Sequence, residues 1–166
     1  MNGYFLHSQG AEISAMLNDK GVHVSQEPIT RRQIHHWTAS ELLPEREDTG
    51  WARFSIMESL WIRMIDIMRS TFEIRHEGIK KIYDQLTGGK NKYEAFMPVL
   101  EIYVSEALTR KRIVFLVINK EYDCVITDLD GLSKLIKAED QSHLLLLNIN
   151  DLLKEVIPKY QKILSP

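Results

Sequence analysis

Only one cysteine, Cys124, occurs in the 166 residues. An intramolecular disulfide and a cysteine-cluster metal site are therefore excluded. Set within a β-rich run, the thiol reads as a small buried hydrophobe. Long apolar stretches are missing as well. The longest, residues 113–118, lies between Arg112 and Asn119 and suits a buried strand; a membrane helix needs roughly 20 such residues. Residues 1–10 lack a basic segment followed by an apolar run, so no signal peptide and no membrane partner are expected, and the cytoplasm is the expected compartment. There is no glycine-rich phosphate motif and no nucleophile elbow. Asp128-Leu129-Asp130-Gly131 matches neither a calcium loop nor a phosphate loop in full and reads as a helix cap. The chain is accordingly not expected to be an enzyme, and no catalytic residue, metal or cofactor is assigned. Internal repeats and low-complexity tracts are absent.

A basic excess is also lacking. The formal net charge is −2, and residues 1–87, with 10 Lys and Arg against 12 Asp and Glu, carry all of it. The distribution says more than the sum. Residues 28–40 contain Arg31, Arg32, His35 and His36 and no acid. Attraction to phosphate acts over a Debye length of about 8–10 Å, so a local patch works where the total is negative. Such a patch binds nucleic acid weakly and with strong salt dependence unless it is doubled by dimerisation.

What is present reads as two parts, residues 1–87 and 88–166, joined at the Gly-rich stretch 87–92. In the first, residues 12–20 read as a short helix with Ile13, Met16 and Leu17 on one face and Gly21 as its stop. Thr30-Arg31-Arg32-Gln33 is a capping box. The helix it opens turns Ile34, Trp37 and Leu42 inward, turns Arg31, Arg32, His35 and His36 outward, and ends at Pro44. Residues 45–54 form a small hairpin around Asp48-Thr49-Gly50. Ser55 caps a long helix to about Thr71, and residues 75–86 form another. In the second part, residues 93–110 have helical periodicity, with Pro98 starting or kinking the helix. Residues 112–118 and 122–127 read as a hairpin, Asp128 caps a short helix, and residues 144–149 form a third strand. Asn150 or Asp151 caps a last helix. The expected fold is mainly α: an N-terminal helical unit with a small hairpin, then a small α/β unit in the order α-β-β-α-β-α.

Ile29-Thr30-Arg31-Arg32-Gln33-Ile34-His35-His36-Trp37, ending in Glu41-Leu42-Leu43-Pro44, resembles the second helix of MerR-type regulators. That helix opens on Val-Ser or Ile-Thr and closes on Gly-Leu-Leu-Pro. Gly50-Trp51-Ala52-Arg53-Phe54-Ser55 is similar to the family's wing and its step into the third helix, and Ile79-Lys80-Lys81-Ile82 falls where the fourth helix stands. The resemblance spans residues 12–87. It implies a winged helix-turn-helix, a homodimer on a palindromic site of double-stranded DNA, regulation of transcription, and RNA polymerase as a further partner. The residues it implies at the DNA are Thr30, Arg31, Arg32, His35 and His36 on the helix and Arg46 and Arg53 on the wing. A helix start with Thr30, Arg31 and Arg32 offers N–H groups and cations to phosphate, or guanidinium forks to guanine.

The chain departs from the family pattern at several places. His35 replaces an Arg, Glu41 replaces the Gly before Leu-Leu-Pro, Ala52 takes a usual Arg position, and the turn between the first two helices is longer. Adjacent His35 and His36 point about 100° apart on a helix and chelate one metal poorly. Trp37, Trp51 and Trp61 are expected in the core, and the lone Cys124 argues against the thiolate metal sensing of some family members. Dimerisation falls either to the helix at residues 93–110, short for the family's coiled coil, or to the C-terminal unit. Two other readings stand beside the regulator: an interaction module that kept the fold without DNA binding, and an excisionase-like architectural protein.

Overall fold

The computed structural model describes residues 3–23, 29–44, 53–88, 96–138 and 143–158. Over these the chain is mainly helical, with one two-stranded and one three-stranded sheet. In order the elements are α1 (Gly3–Asn18), β1 (Val22–His23), α2 (Arg31–Ala39), β2 (Arg53–Phe54), α3 (Ile56–Ser70) and α4 (His76–Leu86). There follow α5 (Pro98–Arg110), β3 (Val114–Asn119), β4 (Cys124–Asp128), α6 (Leu129–Lys137), β5 (Leu144–Asn148) and α7 (Ile149–Val156). The second half thus has the expected order α-β-β-α-β-α.

Helix starts follow local chemistry. Thr30 and Gln33 form a capping box on α2, and Ser55 and Glu58 form a buried one on α3, where the Glu58 N–H meets Ser55 Oγ at 3.1 Å and the Ser55 N–H meets Glu58 Oε2 at 2.8 Å. Each box satisfies two orphan donors of the first turn. Pro98 stands in the first turn of α5, where its missing N–H costs nothing, so it starts the helix without kinking it. Asp128 caps α6 by accepting from the Gly131 N–H at 3.0 Å.

Several boundaries differ from the sequence reading. Helix α5 begins at Pro98 with Phe96 and Met97 outside it, and β3 and β4 begin and end a residue or two later. Three further differences have a local cause. First, α1 is much longer than residues 12–20 and stops before Gly21, with the Asn18 side chain turned back onto the Ser14 carbonyl at 3.0 Å. Second, α2 ends at Ala39, not Pro44. Glu41 takes a left-handed φ of 56°, and the Leu42 and Leu43 N–H groups both return to the Trp37 carbonyl, at 2.8 and 3.2 Å. Third, the cap of α7 is Asn148, whose Oδ1 accepts from the N–H groups of Asn150 (3.0 Å) and Asp151 (3.4 Å). Asn150 is engaged elsewhere: it clamps the start of β3, accepting from the Val114 N–H and donating to the Arg112 carbonyl, both at 2.8 Å. The expected hairpin tip at residues 45–52, with Arg46 and Trp51, lies outside the described residues. Residues 53–54 form β2, and the partner described for it lies outside the expected hairpin: it pairs antiparallel with β1 in the register Val22↔Phe54 and His23↔Arg53.

The core is organised on α3, which is buried around almost its whole circumference, from Ile56 and Met57 through Leu60, Trp61, Ile62, Met64 and Ile65 to Met68. Full burial of each such side chain contributes about 1.5–3 kcal/mol. Helices α1 and α7 pack on α3, and the Trp61 ring lies 5.7 Å from Tyr83 of α4. Residues from both sides of the 87–92 stretch share one apolar cluster, Leu17 to Val156. The larger sheet has the order β4-β3-β5 with both pairings antiparallel. Leu116, Ile126 and Leu147 stand abreast on its inner face and are buried. On the outer face Val117 is buried, while its neighbours Val125 and Leu146 remain 45% and 40% exposed. A glycine inside α4, Gly78, lets the helix lie against Tyr122: a β-carbon there would meet Ile74 and the Tyr122 ring at 2.9 Å.

A buried carboxylate joins the two ends of this arrangement. Glu101 of α5 is 8% exposed, and it accepts from the Ser14 hydroxyl and, at 2.9 Å, from the Asn18 amide of α1. Glu101→Ala strands both donors and is expected to lower unfolding stability by about 1–3 kcal/mol. Glu101→Gln, which retains an acceptor, should lose much less. Urea denaturation of the two variants checks the difference.

Candidate nucleic-acid interface

Helix α2 is short, yet three contacts hold it in place. Ile34 and Trp37 are buried on one face. The turn after it is pinned to the core by the Trp61 indole N–H, which donates to the Leu42 carbonyl at 2.8 Å. Lys80 of α4 then grips the same turn, with Nζ 3.2 Å from Glu41 Oε2 and 3.0 Å from Asp84 Oδ1. Burial alone would lower the Lys80 pKa, but the two carboxylates outweigh it and leave the ammonium above its ordinary value.

The opposite face of α2 carries Arg31, Arg32, His35 and His36, all exposed. At positions i, i+1, i+4 and i+5 they share one side of the helix, away from Ile34 and Trp37. Arg32 forms no ion pair among the described residues. The Thr30 hydroxyl is occupied by the cap, donating to Gln33 Oε1 at 2.9 Å and accepting from the Gln33 N–H at 3.2 Å. At the helix start Arg31 and Arg32 are both exposed, and the Arg32 guanidinium is turned outward. Arg53 is exposed on β2, opposite His23 in the small sheet. Arg46 lies outside the described residues.

Two neighbours of this face were not evident from the sequence. The His36 ring lies 5.9 Å from that of His76, in the first turn of α4, and Arg75, which precedes His76, is exposed. Helix α4 thus extends the cationic face beyond α2. Only tertiary packing brings His76 there; no spacing signal links residues so far apart. A shallow groove runs along α4, lined by His76, Glu77, Lys80, Lys81, Asp84 and Gln85. Its lysines are committed to carboxylates, Lys80 as above and Lys81 to Asp123 at 2.6 Å. The hydrogen bond from Lys81 holds the Asp123 carboxyl below its ordinary pKa.

Cys124 is half-buried. Burial, reinforced by the Asp123 charge and opposed by Lys81, pushes its thiol up to about 11. Among the described residues no three His, Cys, Asp or Glu side chains converge on a point that would hold a metal, and no helix is long and apolar enough to cross a membrane. No protein-family model, no curated protein and no solved structure matches the chain.

Two outcomes are expected. A left-handed φ at Glu41 costs a β-carbon-bearing residue about 1–2 kcal/mol, whereas its exposed ion pair with Lys80 returns about 0–1 kcal/mol. Glu41→Gly should therefore melt at or above the wild-type temperature and Glu41→Val below it, as read by thermal unfolding. Separately, with a thiol pKa of about 11, the native chain should resist iodoacetamide at neutral pH, and the urea-unfolded chain should react at an ordinary thiol rate.

Proposed function

We propose that the chain is a DNA-binding transcription regulator of MerR type, whose N-terminal winged helix-turn-helix reads a palindromic site in double-stranded DNA as a dimer. One observation carries this reading. A core-anchored helix turns Arg31, Arg32, His35 and His36 to solvent, within a stretch, residues 28–40, that contains no acid. Guanidinium groups on an exposed helix face are suited to phosphate and to guanine edges in the major groove. A second feature supports the resemblance itself. The residue before Leu42-Leu43-Pro44, a Gly in the family pattern, has here a left-handed φ of 56°, the conformation for which a glycine after a helix is favoured.

In this reading α2 is the recognition helix, with Thr30 setting its start. Arg53, with Arg46, serves a wing that meets the neighbouring backbone. RNA polymerase is the further partner that the family resemblance implies. The acidic balance of the N-terminal half limits affinity per subunit, so two copies on two half-sites supply what one lacks.

Fluorescence anisotropy on a selected duplex, titrated with salt, tests the proposal. Binding should weaken steeply with salt, and Arg32→Ala should reduce affinity about tenfold and flatten the log–log slope by about one unit if it contacts a phosphate. No binding to selected, genomic or random duplexes at low salt would overturn the regulator reading and assign the α2 face to a protein partner.

A further inference from the structure

The three-stranded sheet has two edges, and the chain treats them differently. At the start of β4 a side chain of α4 takes up the backbone groups that face outward. Gln85 Oε1 accepts from the Cys124 N–H at 2.9 Å, and Gln85 Nε2 donates to the Tyr122 carbonyl at 3.0 Å. One amide thereby satisfies the first outward N–H of the strand, and the ion pair of Lys81 with Asp123 places charge at that end of the edge. The other edge, β5, has no such cover among the described residues. Its sequence, Leu144-Leu145-Leu146-Leu147-Asn148, contains no Lys, no Glu, no Asp and no Pro, the devices that ordinarily blunt an edge strand.

An open edge presents a row of unpaired N–H and C=O groups, and what satisfies such a row is another extended backbone. We infer that the occupant is β5 of a second copy of this chain, paired antiparallel about a two-fold axis at Leu146, which gives a continuous six-stranded sheet β4-β3-β5-β5-β3-β4.

The strand is self-complementary in that register. Leu146 meets its own image on the outer face, where it is now 40% exposed. On the inner face Leu145 meets Leu147 of the other copy, continuing a row already packed on the core. The strand's ends place Leu144 beside Asn148 of the other copy. No charge in β5 faces its like across the axis, so the usual repulsive penalty is absent. A partner peptide of unrelated sequence could use the same backbone row, but only a second copy repeats this apolar alternation on both faces. A five-residue strand pair is a small interface, so dimerisation in free solution is concentration-dependent.

This inference takes from the regulator reading only the need for two-fold symmetry, and it is measured without DNA, so the two fail separately. Sedimentation equilibrium of the full chain should show a monomer–dimer equilibrium. Leu146→Lys and Leu146→Glu alter an outward-facing residue and should each weaken dimerisation about tenfold or more. An equimolar mixture of the two should restore it by pairing opposite charges across the axis. Hydrogen exchange on the unmodified chain gives a readout that needs no variant: backbone amides of β5 should slow as concentration rises.

A monomer at all concentrations would overturn the inference. So would a dimer whose β5 amides exchange at the monomer rate, or one that ignores both substitutions or is not rescued by mixing. Capture of an extended peptide by a chain that stays monomeric would replace the second copy as occupant and overturn it equally. DNA binding by a dimer joined elsewhere would sink this interface and leave the regulator reading intact.

Discussion

Everything in the fold must accommodate a helix that leaves only a narrow stripe, around Arg63, Asp66 and Ser70, towards solvent. Helix α3 buries residues at nearly every turn, so most of its circumference needs apolar partners, and no single neighbouring element covers more than a stripe of it. Helices α1 and α7, from opposite ends of the chain, supply two of these partners, and Trp61 against Tyr83 supplies a third with α4. A chain whose parts folded separately would leave α3 exposed on one side. The shared apolar cluster, and the Glu101 carboxylate that ties α5 to α1, follow from that demand.

The same helix governs the surface proposed for DNA. Helix α2 is too short to be stable alone. It holds its orientation because Ile34 and Trp37 are buried and because the Trp61 indole hydrogen-bonds the Leu42 carbonyl in the turn that follows. That turn needs a left-handed residue to bring Leu42 and Leu43 back to the Trp37 carbonyl, and Lys80 clamps the residue that provides it. Charge is divided accordingly. The lysines of α4 are used within the molecule, and the guanidinium and imidazole groups of α2 are turned outward, so a chain of negative net charge still presents a local cationic face.

The C-terminal sheet shows a comparable division between its edges. Gln85 takes the first outward N–H of β4 and the Tyr122 carbonyl before it, while β5 carries only apolar side chains and Asn148. An α4 side chain thus links the helix behind the candidate interface to the sheet, and it does so by satisfying backbone groups, which cost more to leave unpaired than a surface contact returns.

Local chemistry was readable in the sequence. The capping box at Thr30, the Ser55 and Asp128 caps, the inward Ile34 and Trp37 and the outward Arg31, Arg32, His35 and His36 each depend on residues within a turn or two of one another, and so did the order of elements in the second half. Features that join distant residues were decided by the tertiary structure alone. Helix α1 packs against α3 and α5, contacts that no local signal announces. The end of α2 depends on a left-handed residue and on Trp61, and Asn150 leaves the role of cap because β3 lies within reach of its amide. His76 joins the α2 face, and Gln85 caps the start of one sheet edge, only because α4 folds against both. Hydrogen bonds and apolar contacts act over a few ångströms, so a sequence reveals those made between near neighbours and stays silent on those that wait for the chain to bring remote residues together.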